Sequence, residues 1–223
     1  MKYIQYLLLV FILGSFYACN STKKPKKEEV KESTIPAPIT TIDSHLGSLT
    51  RDQALVKIEL DTYLRKLSTF NTDDIVDMTY PKLFNVIDLD LFRQYIASMM
   101  NSTDIEMKSY DTHVSKLSKV TTFTNETKFA QAEYTSRVKI HFLSSHLYDT
   151  DEKMNFLYDA LVYKYGIDNI KVNKQQRILD IKKEEKLLII KEKDTTWKFL
   201  GDNIEYRQLY PSFLPYEIQK IIN

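Results

Sequence analysis

The chain has one cysteine, Cys19, in 223 residues. A single thiol cannot build an internal disulfide framework, and it excludes a cysteine-based zinc site. Only four glycines occur, Gly14, Gly47, Gly166 and Gly201. Phosphate-cradling loops need glycine where backbone approaches the ligand, and neither G-x-x-x-x-G-K nor G-x-G-x-x-G can be written. No G-x-S-x-G marks a nucleophile elbow. An excess of one charge is also missing: 31 Lys and Arg stand against 30 acids, a net charge of +1. That balance supplies no electrostatic drive towards nucleic acid. Aromatics, in contrast, are plentiful. The 15 Tyr and 11 Phe suit strands and lined cavities. With 43% apolar and 27% charged residues, the composition is that of a globular domain with a sizeable core.

The first stretch, MKYIQYLLLVFILGSFYA, sets Lys2 ahead of an uncharged run from Tyr3 to Ala18. The run is shorter than the ~20 apolar residues of a bilayer span. A charged start, an apolar middle and small residues near the end read as a signal peptide over residues 1–18. Phe16-Tyr17-Ala18-Cys19 resembles the lipobox of bacterial lipoproteins, in which a small residue precedes a cysteine that is diacylated and becomes the mature N-terminus. Ala18 and Cys19 match that pattern, whereas Phe16 and Tyr17 depart from the usual leucine and small residue. The resemblance implies lipidation at Cys19. A diacylglycerol and an acyl chain such as palmitate would anchor the protein in the cell envelope, at the outer membrane on its periplasmic or surface side. Two chains make such anchoring stable. Residues 19–48 mix STKKPKKEEVKEST with IPAPITT and have little to bury. They read as a disordered, lipidated tether.

Residues 49–223 read as a single α+β domain. Thr50 can cap a helix, with Gln53 as its capping-box partner. Leu55, Ile58, Leu60, Tyr63, Leu64 and Leu67 then recur at helical spacing. Thr72 or Asp73 can cap a short second helix that Pro81 disturbs or ends. Asp88 can cap a third, Leu89 to Met100. From Ile105 the period shortens to that of strands. Phe129 to Leu143 alternates strictly, with Ala130, Ala132, Tyr134, Ser136, Val138, Ile140 and Phe142 on one phase and Gln131, Glu133, Thr135, Arg137, Lys139 and His141 on the other. This is one buried and one wet face. Asp149 to Tyr165 reads as a helix stopped by Gly166. Lys174 to Lys182 reads as a strand. Lys186 to Leu200, KLLIIKEKDTTWKFL, reads as a hairpin whose return strand starts at Trp197, the only tryptophan, which is expected to close the core. The aromatic tail from Tyr206 to Ile222 is expected to dock back on the domain.

Three helices, several long strands, a late strand–Trp hairpin and a closing helix: this order resembles the NTF2-like (SnoaL-like) superfamily. Trp197-Lys198-Phe199-Leu200 is similar to its W-x-hydrophobic-hydrophobic end strand. The resemblance covers roughly Leu49 to Leu200. It implies a cone, with N-terminal helices packed on a curved, mostly antiparallel sheet. The helix at 149–165 is an extra one inserted between strands. The chain also resembles small envelope lipoproteins of unknown function in which a Tyr-Gly-x-x-Asn stretch, here Tyr165 to Asn169, follows such a helix. The superfamily contains enzymes and binding modules alike, so the fold does not choose between them.

The cone would enclose a cavity, for which Tyr80, Phe84, Phe92 and Tyr134 are the candidate lining. An isomerase- or dehydratase-like reaction would need a carboxylate base and an acidic donor facing one apolar pocket. Asp180 and Tyr134 are the candidates by type and position. However, the apolar phase of the long strand carries no Asp, Glu or His. His141 and His146, five positions apart, lack a usual ligand spacing; adding Asp149 gives a weak metal site, against which a solvated loop is the stronger reading. His45 falls in the tether. No metal or cofactor is therefore expected. The expectation is an envelope lipoprotein whose domain binds a small apolar ligand or a protein partner without catalysis, with the isomerase-like enzyme and an assembly spacer as alternatives. Its partners are the membrane, through Cys19, and that ligand or envelope protein, with no nucleic acid.

Overall fold

The computed structural model describes residues 46–100, 105–143, 151–203 and 207–222. The chain divides into Met1–Ile39 and Thr40–Asn223. The signal peptide, Cys19, most of the tether with His45, and also His146 and Asp149, lie outside the described residues.

Helix α1 (Arg51–Thr69) starts where its cap lies. The Gln53 amide N–H donates to Thr50 Oγ1 at 3.3 Å, and the Thr50 N–H donates to Gln53 Oε1 at 3.0 Å. These two bonds satisfy two of the otherwise orphaned first-turn donors. Gln53 Nε2 also donates to the carbonyls of Leu117 and Ser118, at 3.1 and 3.2 Å, which ties the helix start to the end of strand β1 (Ile105–Leu117). The buried stripe is Gln53, Val56, Leu60, Tyr63 and Leu64. Leu55 and Ile58, expected on it, are exposed. Val56 takes the core position instead, because a stripe stepping by three and four from Gln53 turns 55 and 58 aside. Helix α2 (Thr72–Met78) is capped by Asn71 rather than Thr72 or Asp73, with Asp74 N–H donating to Asn71 Oδ1 at 3.0 Å. Pro81 opens a 3-10 turn over Pro81–Asn85. Helix α3 (Leu89–Met100) is capped by Asp88, whose Oδ1 accepts from Leu91 N–H at 2.9 Å.

Among the described residues the sheet has six strands in the order β1-β3-β5-β4, with β2 on β3 and β6 on β5. The further strands are β2 (Thr121–Thr122), β3 (Lys128–Phe142), β4 (Ile170–Asn173), β5 (Ile178–Lys191) and β6 (Lys198–Gly201). Every strand pair is antiparallel. Two expectations are corrected here. The strand at 174–182 and the first arm of the hairpin form one strand, β5, which pairs β3 without a break from Lys128↔Lys191 to His141↔Ile178. The charged run 182–186 is therefore continuous strand, because an intact ladder outweighs the low strand propensity of Lys and Glu. Trp197 precedes the return strand, which starts at Lys198, and is only half-buried against the core. The core position belongs to Phe199, which is fully buried and stacks on Tyr63 at 4.3 Å and 8°. Strand β4 was not anticipated. It hairpins onto β5 through residues 174–177, where Arg177 has φ 54°.

Register sorts the side chains onto two faces. On the inner face, Ala132, Tyr134, Ser136, Val138 and Ile140 of β3 stand opposite Leu187, Glu185, Lys183, Ile181 and Leu179 of β5. Helix α1 packs there through Val56, Leu60, Tyr63 and Leu64, with Val114, Ala130, Ile189 and Phe199. The outer face carries Arg137, Lys139 and His141 opposite Lys182, Asp180 and Ile178. A bulge at Asp111, φ 50°, shifts the β1–β3 register between Tyr110 and His113. Helix α4 (Asp151–Tyr165) buries Leu157 and Leu161. Gly166, φ 87°, stops it, with its N–H on the Val162 carbonyl at 2.8 Å. The tail docks as expected: Tyr210, Phe213 and Leu214, then Ile218 and Ile222 of helix α5 (Tyr216–Ile222), are all buried.

Candidate binding site on the inner sheet face

In β5 the inner-facing phase reads Leu179, Ile181, Lys183, Glu185, Leu187, Ile189. Two charges thus interrupt an apolar row. Lys183 is 8% exposed, and its Nζ lies 3.0 Å from Glu185 Oε1, whose side chain is 34% exposed. The pair therefore reaches solvent mainly through Glu185. Burial pulls the Lys183 ammonium down, but the charge of Glu185, the nearby Tyr165 and the Glu185 hydrogen bond together outweigh it and leave the pKa raised. Lys183 is thus held as a buried cation.

Three tyrosines surround this pair. Tyr134 is the cross-strand partner of Glu185, a placement that sets the two Cβ atoms roughly 5 Å apart. Tyr63 reaches the same face from α1. Tyr165, from the end of α4, lies with its ring 5.9 Å from Lys183 Nζ. The Tyr-Gly-x-x-Asn stretch positions it: Asn169 Nδ2 donates to the Tyr165 carbonyl at 2.7 Å, just past the turn at Gly166. Ser136, also buried, stands cross-strand from Lys183. Burial first, then the charge of Glu185, raises the pKa of both Tyr63 and Tyr134, so both stay phenols. Thr135 Oγ1 is a buried hydroxyl that lacks a hydrogen-bond partner among the described residues, whereas the Tyr63 and Tyr134 hydroxyls are not such atoms. The group therefore offers hydroxyl donors and one ammonium around a single carboxylate, between the apolar rows Val138–Ile181 and Ala132–Leu187.

The structure does not bring Asp180 and Tyr134 together. Tyr134 faces inward, whereas Asp180 stands opposite Lys139 on the outer face. There its carboxylate accepts from Tyr110 Oη at 2.5 Å and from Arg137 Nε and Nη2 at 3.1 and 3.0 Å. Arg137 and Lys139 also lie over the Tyr110 ring, 5.5 and 5.6 Å from its centroid. Asp180 thus anchors an outer-face cluster and cannot act as a base in a pocket shared with Tyr134. The inner-face carboxylate is Glu185.

Tyr80 and Phe92 are buried, and Phe84 is half-buried against Phe92 at 5.5 Å, edge to face. Tyr80 Oη donates to Glu192 at 2.7 Å, beside Lys82 Nζ at 2.6 Å. A surface cleft of about 580 Å³ is lined by Leu46, Leu117, Glu133, Lys186 and Ile222 among others. Another, of about 530 Å³, runs past Lys82, Thr127, Glu192 and Phe213. Neither is lined by Tyr80, Phe84, Phe92 or Tyr134. His141 faces outward, 3.6 Å from Glu106, and His113 lies 3.7 Å from Asp111. Among the described residues no group of three His, Cys, Asp or Glu side chains is placed to hold a metal ion, and no helix is long and apolar enough to cross a membrane.

Sequence reasoning missed Lys183 and Glu185. The signal was present: two charges on the apolar phase of Leu179 to Ile189. It disappears once that segment is cut in two at Lys182. Compared with known proteins, the chain matches no family model, no curated protein and no solved structure.

Proposed function

We propose that this is a lipid-anchored, non-enzymatic binding domain of the cell envelope, built as an NTF2-like cone, which holds a small apolar ligand on the inner face of its sheet. The single observation that carries the ligand reading is the charge pair of buried Lys183 and half-buried Glu185, set on the otherwise apolar inner phase of β5 beside Tyr134 and Tyr63. The phenols of Tyr134 and Tyr63 add polar contacts there, and half-buried Glu185 brings the pair to the solvent edge. The carboxylate of Glu185 is committed to Lys183, which suits charge balance within a binding site. Support for the anchor comes from Cys19, the only cysteine, at the end of the apolar run.

The test is native mass spectrometry of the protein extracted from its membrane, after growth with a labelled palmitate. The wild type carries the label and releases a small apolar molecule on denaturation. Cys19→Ser loses the label and keeps the molecule, whereas Tyr134→Phe keeps the label and loses most of the molecule. A wild type without label sinks the anchor. A wild type without any released molecule, or a Tyr134→Phe variant that retains it in full, sinks the ligand reading.

A further inference from the structure

From the charge distribution on the outer sheet face we infer that its basic centre, formed by Lys108, Arg137, Lys139, Lys171 and Lys182, is a docking surface for anionic phospholipid head groups. This rests on the anchor reading, which sets the domain beside a membrane.

Cross-strand register builds the surface. One row across four strands reads Lys108, Lys139, Asp180, Lys171, and the row beside it reads Tyr110, Arg137, Lys182. Strand spacing and rise place the five cations on a backbone area of roughly 14 Å by 7 Å. The four lysines are exposed and Arg137 is half-buried. Asp180, the one carboxylate of both rows, is spent on Arg137 and Tyr110. Acids on the rim hold two more cations: Glu106 lies 2.8 Å from Lys108, and Glu184 lies 3.6 Å from Lys182. Asp111, at the bulge, lies 3.7 Å from His113. Lys139 and Lys171 have no ion pair among the described residues. The excess of cations is local, because residues 40–223 carry 25 Lys and Arg against 27 Asp and Glu. An anionic surface therefore repels the domain in most orientations and attracts it in this one.

What the two rows lack narrows the partner. Their only apolar surface is the Tyr110 ring, whereas a protein interface buries an apolar centre. Arg137 and Lys139 lie over that ring, 5.5 and 5.6 Å from its centroid. It is therefore no open platform on which nucleic-acid bases could stack. A lipid surface asks only for charge on an open face, and each cation brought near it strengthens binding roughly fivefold.

The test reads the lysines themselves. The wild-type full chain is reconstituted into vesicles of phosphatidylcholine alone, or of phosphatidylcholine and phosphatidylglycerol in equal parts. Exposed amines are then acetylated with a neutral reagent and mapped by mass spectrometry. Lys139, Lys171 and Lys182 react roughly fivefold more slowly on the anionic vesicles, whereas Lys66, on α1 at the opposite face, reacts equally on both. The protection disappears in ~0.5 M salt, where the screening length falls to roughly 4 Å. In the double variant Lys139→Glu with Lys171→Glu, changed at two exposed positions, Lys182 loses its protection. Equal rates on both vesicles, equal protection of Lys66, or protection that survives the salt overturns the docking face. An oligonucleotide or an acidic polysaccharide that protects these lysines where the anionic vesicles do not also overturns it. A chain that fails to float with phosphatidylcholine vesicles overturns the anchor reading instead. The face is then judged by flotation with the anionic vesicles, which stands if it occurs and is lost in the double variant, and falls otherwise.

Discussion

Raising the pH past about 10 should unfold this domain cooperatively, and its buried tyrosines are the reason. Tyr63, Tyr80, Tyr134 and Tyr210 are all buried. Burial is the largest cause that raises each phenol above its ordinary pKa; Glu185 adds to it for Tyr63 and Tyr134, Glu192 for Tyr80 and Asp202 for Tyr210. In the unfolded chain the same phenols ionise near 10. Above that pH the unfolded state binds fewer protons than the folded state, so stability falls as pH rises. The contribution is fully present below the unfolded pKa and is lost on the way up to the folded one. Each such proton is worth ~1.36 kcal/mol per pH unit, so the four together give ~5 kcal/mol per unit. Lys183, also raised, acts in the same direction at higher pH. A domain of ordinary stability, ~5–15 kcal/mol, is then exhausted within ~1–3 units above pH 10. The assay is phenolate absorbance recorded together with far-ultraviolet circular dichroism. Tyr110, pushed up to about 12 by burial and by Asp180, should ionise well above the unfolded-chain value. The buried four should appear in one step with the loss of dichroism, and Tyr134→Phe should reduce the slope by ~1.4 kcal/mol per unit. If all 15 tyrosines titrated near pH 10 with the dichroism intact, the burial argument would be wrong.

The hairpin offers a second comparison. Phe199→Ala removes a fully buried ring stacked on Tyr63 and should cost ~3–5 kcal/mol in urea unfolding, whereas half-buried Trp197→Ala should cost less than half of that. Equal losses would return the core position to Trp197. On the outer face, Asp180→Ala strips Tyr110 and Arg137 of their shared acceptor and should cost ~1–3 kcal/mol, part of which Asp180→Asn restores. An unchanged denaturation midpoint for Asp180→Ala would show that this cluster contributes nothing.

Much of the local structure can be read from the residues. Thr50 with Gln53, Asp88 and Gly166 mark helix ends in the sequence as they do in the structure. The alternation of β3 separates its inner and outer residues correctly from Ala130 to Phe142. The reading fails where the answer lies in a neighbouring strand. Lys182 to Lys186 look like a break until β3 pairs them. Asp180 and Tyr134 are both polar strand residues, and only the register sets them on opposite faces. Leu55 and Ile58 are as apolar as Val56, but the helix is docked so as to bury only the last.

Capping, period and chain-stop signals act between residues a few positions apart, so the sequence by itself determined the helices, the phase of the long strand and the docking tail. Pairing across strands joins residues far apart in the chain, and no local propensity specifies which ones meet. Only the tertiary structure could therefore decide that the hairpin's buried ring is Phe199, and that the carboxylate beside Tyr134 is Glu185, clasped to a buried Lys183.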